Sequence, residues 1–517
     1  AIMLIGMMVV SASAVSYNDL TDKDQIVNKD AVSMLVSLGI IEGKPDGSYG
    51  PTENVDRAQM AKMLSVIMNK GVDNSALYQS VNSGLTDITS HWAKGHINYC
   101  YTTGIIAGRG NGTFDPSATV TALEAAKMLL VAVGYDPAIE GFEGADWAIN
   151  VSVRADEQGI FEGFTKDLSA PLNRDDAALL IYNALDVEMI QSYTTNNYPI
   201  AYSDHRTILA DKYGVIKVQG VVVANEWASL ASDDGDAALK EGKTTIYNGE
   251  GIFSTTGNTT VSKEDASLKT QTFNVSTPVD MLGKTVNLYI KKTTILADST
   301  VYGDPVVSDV NTVVTTGETV LYSGAKDPQV DYDKLLGENG LTDKDAKYFW
   351  NYNSGKYIPN TTEKYGDKTA NVKGATLTII DNNGDGEVDY VLSVEKALAD
   401  ITSVNSKKET VTVRTLGTLD NKDVVGYEDM AKEDVVLYVQ YGGRTYLEKP
   451  EVVTGEMEHF NVKGTEKYMT VGGEKYKADE LETNARTEVV KFDVTECDKA
   501  NGVQFETSYN FYLDDYG

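Results

Sequence analysis

One stretch of the chain carries residue types spaced for holding a hard cation. In "DNNGDGEVDYVL" (381–392), Asp381, Asn383 and Asp385 stand at positions one, three and five, with Gly386 at six, Glu387 at seven and Asp389 at nine. Oxygen ligands at alternate positions around a glycine turn suit Ca²⁺, which takes about six to eight such ligands in a flexible cage. Position twelve is Leu392, where a helix–loop–helix calcium site needs a bidentate Glu, and the flanks "TLTII" and "VDYVLS" read as strands. The expectation is a weak, extracellular-type calcium site in a hairpin; the alternative is a polar turn that binds nothing. "DDGD" (233–236) is a poorer candidate. Catalysis has no comparable set. The histidines His91, His96, His205 and His459 form no zinc-protease motif, and neither a Gly-x-Ser-x-Gly elbow nor a phosphate loop occurs.

The elements that position chemistry near the front of the chain are repeated. "GIIEGKPDGSYGPTENVDRAQMAKML" begins at Gly39, and "GIIAGRGNGTFDPSATVTALEAAKML" begins 65 residues later at Gly104. Asp56 with Gln59, and Thr121 with Glu124, have the spacing of a capping box. Ala61, Leu64 and Met68 share one helical face, as do Ala126, Leu129 and Val133. Gly39 and Gly104 end a preceding helix, Asp46-Gly47 and Asn111-Gly112 are turn pairs, and Pro51 and Pro116 keep the approach extended. A third copy follows: Trp147 precedes Gly159 as Trp92 precedes Gly104, "GIFEG" echoes "GIIAG", and Asn173 with Asp176 repeats the cap. Three copies of helix, glycine stop, turn and capped helix make a repeat array.

Residues 17–190 resemble three S-layer homology repeats. The resemblance rests on aromatic-x-Asp starts read at Tyr17-Asn18-Asp19 and Leu85-Thr86-Asp87, on the Trp-Ala pairs at Trp92 and Trp147, on the Gly-Ile-Ile-x-Gly segments, on "DGSYGP" and "NGTFDP", and on the helix start that the family writes Thr-Arg-Ala-Glu. It implies a three-pronged helical bundle that binds secondary cell-wall polysaccharide in grooves between prongs, often through a pyruvate ketal. Arg57 and Arg174 match the family's arginine, which serves the ketal carboxylate; a guanidinium is a rigid two-pronged donor for such a group. Free N–H groups at the helix start would add to the attraction. The second repeat has Ala122 at that place, so at most two grooves are charged for the task. Trp92 and Trp147 stack on sugar rings or fill the bundle interior, the interior being the commoner place for such a ring. Asp19 and Asp87 complete the polymer-binding set.

Composition is consistent with an exported surface protein. Across 517 residues, 76 Asp+Glu against 45 Lys+Arg give a net charge of −31. A phosphate backbone needs a basic face, so nucleic acid is not an expected partner. Residues 1–14, with apolar "AIMLIGMMVV" followed by Ala12-Ser13-Ala14, read as the remainder of a secretory signal. No stretch is long and apolar enough for a membrane helix. Two cysteines, Cys100 and Cys497, make no disulfide framework.

After a linker at 191–212, short β-rich runs separated by turns predict sandwiches or small barrels. "DMLGKTVNLYI" (280–290) and "DMAKEDVVLYV" (429–439) echo each other, with Val286, Leu288 and Ile290 matching Val435, Leu437 and Val439 in half-buried strands. The fold class expected is therefore multidomain α plus all-β: repeats at 15–80, 81–138 and 139–190, then β-modules at 213–400 and 401–517 joined at "KALADITSV" (396–404), with a partly helical insertion at 330–357. The ending "FYLDDYG" reads as an unfinished strand and turn. The function this arrangement implies is non-enzymatic anchoring to wall polysaccharide, with β-modules self-associating in an S-layer or related array. The rival readings are an anchored polysaccharide-active enzyme and an adhesin that forms no lattice.

Overall fold

The computed structural model describes residues 17–231, 238–249, 269–291, 299–317, 320–321, 330–353, 373–464, 467–478 and 481–517. The leader expected at 1–14, the acidic run 233–236 and the end of the 330–357 insertion lie outside the described residues. The chain is helical in its first part and rich in sheet thereafter. It divides into two compact units: one of residues 17–219 with the described parts of 248–275 and 287–306, the other of the described parts of 220–247, 276–286 and 307–517.

In the first unit, local sequence signals set the helices. They are α1 (Lys29–Ser37), α2 (Arg57–Met68), α3 (Lys94–Thr102), α4 (Ala122–Val133), α5 (Trp147–Glu157) and α6 (Arg174–Leu185). Asp56 Oδ1 accepts from Gln59 N–H at 2.7 Å while Gln59 Oε1 accepts from Asp56 N–H at 2.9 Å. Thr121 and Glu124 form the same box, and Asn173 caps α6 by accepting from Asp176 N–H at 2.8 Å. Such a cap is worth about 1 kcal/mol. Gly39, Gly104 and Gly159 sit at φ 70°, 78° and 70°, the left-handed region in which a Cβ is disfavoured, so each stops the helix before it.

The three copies meet in a closed ring of backbone bonds. Val55 N–H donates to Leu172 C=O at 2.8 Å, Leu172 N–H to Val120 C=O at 2.7 Å, and Val120 N–H to Val55 C=O at 2.9 Å. Each of these buried residues immediately precedes the N-cap of α2, α4 or α6. The capped helices thus start from one point, and Leu64, Leu129 and Ile181 pack in one continuous core.

The expected linker contains structure: a hairpin of Ile190–Tyr193 with Pro199–Ala201, then a π-helical turn at Leu209–Tyr213. Tyr289, from the β-rich region, belongs to the helical unit's core, and its hydroxyl is 2.9 Å from that of Tyr182.

In the second unit, Thr376–Asp381 pairs antiparallel with both Tyr390–Val394 and Thr312–Thr316, and Lys347–Trp350 runs parallel to Tyr390–Val394. The insertion forms a short helix, α7 (Tyr332–Glu338), beside them. The segment 396–404, expected to hold the junction, contains most of the strand Ala397–Asn405. It pairs with Thr410–Val413, Val435–Tyr441 and Glu482–Asn484 inside a seven-stranded sheet. A further sheet joins Val452–Asn461 to Tyr468–Val471 and Ser508–Tyr512. The echoed segments adopt one local form, a 3₁₀ turn followed by a strand, at Val279–Met281 and Thr285–Lys291 and again at Tyr427–Asp429 and Val435–Tyr441. Val286, Leu288 and Ile290, and Val435, Leu437 and Val439, are buried as the alternation places them. On the other face Tyr289 and Val436 are buried as well, while Asn287 and Tyr438 are half-buried and Lys291 and Gln440 exposed.

Candidate functional site

The arginines at the starts of α2 and α6 join one repeat to the next. Arg57 Nε donates to Phe114 C=O at 2.9 Å and Nη2 to Ala107 C=O at 3.0 Å, and its guanidinium lies 4.4 Å from the Phe114 ring centroid. Arg174 Nε donates to Tyr49 C=O at 2.9 Å and Nη2 reaches Glu42 C=O at 3.4 Å, with the guanidinium 4.8 Å from the Tyr49 ring. Both therefore hold the turn of a neighbouring repeat. Arg57 is only 4% exposed, while Arg174 is half-buried. The helix-start N–H groups expected to attract an anion are also engaged. Arg57 and Ala58 N–H donate to Ala118 and Pro116 C=O at 2.9 and 3.0 Å, and Arg174 and Asp175 N–H to Glu53 and Pro51 C=O at 2.8 and 3.2 Å. These four N–H groups are thus already paired within the protein.

Cationic side chains do gather around each arginine. Arg57 and Arg109 converge on Glu124 Oε1 at 3.9 and 3.1 Å, and Arg109 also faces Asp115 at 3.5 Å. One turn along α4, Lys127 donates to Phe142 C=O at 2.5 Å, with its ammonium 5.7 Å from the Trp147 ring. Burial pushes the Lys127 amine below the usual lysine range, against the nearby Glu143 carboxylate, and Arg57 adds to the depression. The Arg174 seam repeats the pattern. Lys62 pairs with Glu42 at 3.2 Å, Lys44 pairs with Glu53, and Trp92 stands at the start of α3 above His96. Lys44, Lys62 and Trp92 correspond to Arg109, Lys127 and Trp147 by the repeat offsets. Sequence reasoning missed these lysines and Arg109; the signal was the 65-residue offset that relates Lys44 to Arg109 and Lys62 to Lys127.

The third seam has the same positions and different chemistry. Ala122, Phe164, Leu179 and Val27 stand where the others have Arg, Arg or Lys, Lys and Trp. Val27 N–H bonds to Asp175 one helical turn before Leu179, and Val27 is 82% exposed.

The two tryptophans differ from each other. Trp92 is 56% exposed, because Ala93 beside it takes the interior position. Trp147 is half-buried and packs on the core. The aspartate starts need a correction. Asp87 accepts from Phe114 N–H at 2.9 Å and Asp115 N–H at 2.7 Å, and its counterpart is Asp22, not Asp19: Asp22 accepts from Tyr49 and Gly50 N–H at 2.7 and 2.8 Å. Asp19 is exposed on the 3₁₀ turn Tyr17–Asp19.

The 381–389 loop is the expected hairpin. Asp381, 1% exposed, accepts from Asn383 and Gly384 N–H through Oδ1 at 3.1 and 2.7 Å and from Gly386 N–H through Oδ2 at 3.0 Å. Asn383 Oδ1 accepts from Asp385 N–H at 2.9 Å, Asp385 Oδ1 from Glu387 N–H at 2.8 Å, and Asp389 Oδ2 from Asn382 N–H at 2.8 Å; Glu387 pairs with Lys344. Among the described residues, no three His, Cys, Asp or Glu side chains stand close enough to share a metal ion. Nor is any described helix long and apolar enough to cross a membrane.

Comparison with known proteins bears on the helical seams. Residues 16–61 and 84–126 match the profile of the S-layer homology domain. The chain is 28% identical over 253 residues to a cell surface protein of Thermoanaerobacter kivui, covering 48% of this chain and 30% of that one. It is 33% identical over 113 residues to an S-layer protein of Bacillus licheniformis, covering 22% and 12%. It is 28% identical over 192 residues to exoglucanase XynX of Acetivibrio thermocellus, covering 34% and 17%. The chain thus spans less than a third of the length of each of these relatives.

Proposed function

Since the chain carries S-layer homology repeats and is a cell-wall-associated extracellular surface protein, we propose that two seams of a three-pronged helical bundle grip the acidic groups of a secondary cell-wall polysaccharide. One seam is Arg174, Lys44, Lys62 and Trp92; the other is Arg57, Arg109, Lys127 and Trp147. The observation that carries this reading is the conversion of all four positions to Ala122, Phe164, Leu179 and Val27 in the third seam. Structural arginines alone would not require lysines and a tryptophan to change with them. In each cationic seam the arginine fixes the turn of the next repeat. The more accessible ammonium groups then meet carboxylate, and the indole offers a face to a sugar ring. Two such seams on one polymer chain gain avidity without new contacts. The β-rich region is read as modules that project from the wall and self-associate, without enzymatic activity.

The test is co-sedimentation of the full chain with purified wall sacculi, before and after mild acid removal of ketal pyruvate. Lys62→Ala with Lys127→Ala is expected to release most of the protein while leaving its melting temperature near that of the wild type. Sedimentation that neither the double variant nor pyruvate removal reduces would overturn the reading.

A further inference from the structure

Beneath Trp92 lies an imidazole that anion capture does not itself require. His96, on α3, is buried, and its ring stands edge-on to Trp92 with centroids 6.4 Å apart. Nδ1 is 2.6 Å from Ser65 Oγ, and Nε2 is 3.6 Å from Asp73 Oδ2. Ser65 Oγ also lies 3.0 Å from Lys62 C=O, so its hydroxyl stands between that carbonyl and the imidazole. The imidazolium therefore has Ser65 Oγ beside Nδ1 and the Asp73 carboxylate facing Nε2.

The surroundings of His96 are few. α2 contributes Ser65 and, one turn earlier, Lys62; the loop after α2 contributes Asp73; the residues before α3 contribute Trp92 and His91, whose ring is tilted against Trp92 with centroids 5.6 Å apart. The 3₁₀ turn Ser75–Tyr78 packs on α3 at Gly95, where the Ser75 carbonyl leaves no room for a Cβ, and directs the Tyr78 ring to Tyr99. The charges that act on His96 are thus Asp73, which favours the imidazolium, and Lys62, which opposes it. In the third repeat the corresponding residue is Val151, fully buried, so the Trp147 seam has nothing to titrate there.

Resting on the seam reading above, we propose that His96 is a proton-operated charge that makes the Trp92 seam, and not the Trp147 seam, bind carboxylated polysaccharide more tightly as pH falls. The imidazolium faces Asp73 and offsets that carboxylate, leaving the seam more positive by one charge beside Lys62. Burial holds His96 below the usual imidazole range, with Asp73 opposing and Lys62 assisting, so the added attraction develops below about pH 6.5. Linkage makes the effect reciprocal: an anion beside Lys62 draws a proton onto His96.

The experiment is calorimetry of the full chain against pyruvate-bearing fragments of wall polysaccharide at pH 7.5 and 5.5, in buffers of different ionisation heat, for the wild type and His96→Gln. Its companion is an NMR titration of the His96 ring with and without fragments. The wild type is expected to bind roughly threefold to tenfold tighter at pH 5.5, with proton uptake. His96→Gln is expected to match it at pH 7.5 and lose most of the acid gain. An equal acid gain in a folded His96→Gln, or a His96 midpoint that saturating fragments do not raise, overturns the proposal and leaves the seam reading intact. Absence of wild-type binding at both pH values overturns the seam reading, and this proposal with it.

Discussion

Asp22 and Asp87 do the same work in successive repeats. Each carboxylate accepts the N–H groups of the aromatic residue of the next turn and of the residue after it: Tyr49 and Gly50 for Asp22, Phe114 and Asp115 for Asp87. The ring that each bond presents is the one on which the next arginine rests, Arg174 on Tyr49 and Arg57 on Phe114. A carboxylate, an aromatic ring and a guanidinium from different segments therefore build each cationic seam.

Replacing Asp22 or Asp87 with Ala should cost about 1–3 kcal/mol each, since two N–H groups lose an ionised acceptor. Burial alone would raise both pKa values, but the backbone bonds outweigh it and hold both below the usual carboxylate range. A depressed folded pKa contributes stability that is present above the unfolded value of about 3.9 and is lost as pH falls through the folded one. Thermal melts at pH 7 should thus separate wild type from Asp22→Asn and Asp87→Asn, and melts below about pH 3 should bring them together. A gap that persists at low pH would contradict the assignment.

Much of the helical unit was legible because its signals are local. Capping boxes, glycine stops and turn pairs each lie within a few residues, and all were found where the spacing placed them. The start of the first repeat was misread because Tyr17-Asn18-Asp19 matched a motif, whereas Leu20-Thr21-Asp22 matches Leu85-Thr86-Asp87 at the repeat's own 65-residue offset. The ring through Val55, Leu172 and Val120 was not legible, since it depends on backbone groups far apart in sequence. In the β-rich region, strand runs were legible and their pairing was not. A strand such as Ala397–Asn405, paired on both edges, looks in sequence like any short run between turns. That the arginines serve the turns as well as any ligand was hidden for the same reason: Phe114 and Tyr49 are remote in sequence from Arg57 and Arg174.

Arg57 should prove more structural than Arg174. At 4% exposure, its removal strips the buried Phe114 carbonyl and the Ala107 carbonyl of their donor and one ring of its cation. Arg57→Ala is expected to cost about 2–4 kcal/mol in chemical denaturation, and Arg57→Lys to recover little of it, because an ammonium cannot reproduce the fork. Arg174→Ala, at a half-buried site with one long bond of 3.4 Å, should cost less. Equal losses would refute the ranking.

The tryptophan positions separate two seams from the third. Trp92→Ala removes a largely exposed ring, so it should lower wall co-sedimentation severalfold with a change in melting temperature of no more than about 2 °C. Val27→Ala, at the matching place in the apolar seam, should change neither. If Val27→Ala reduces sedimentation as much as Trp92→Ala does, all three seams take polymer and the valence of two is wrong.

The 381–389 hairpin allows its structural and metal-binding roles to be tested apart. Asp381 sits on its floor with both oxygens in backbone bonds, whereas Asn383 and Asp385 stand on its rim. Asp381→Ala should therefore lower the melting temperature by several degrees in EDTA as well as in calcium, because three N–H groups lose their acceptor. The calcium expectation concerns the rim. With the oxygen spacing of a weak site, about 10 mM Ca²⁺ should raise the wild-type melting temperature by a degree or more and leave Asp385→Ala unmoved. Like charge supplies the reason. Burial raises the Asp389 carboxyl against the bond from Asn382 N–H, and Asp381 and Asp385 raise it further, a repulsion that a divalent cation would relieve. Identical calcium responses in wild type and Asp385→Ala would leave the hairpin a turn held by its own backbone.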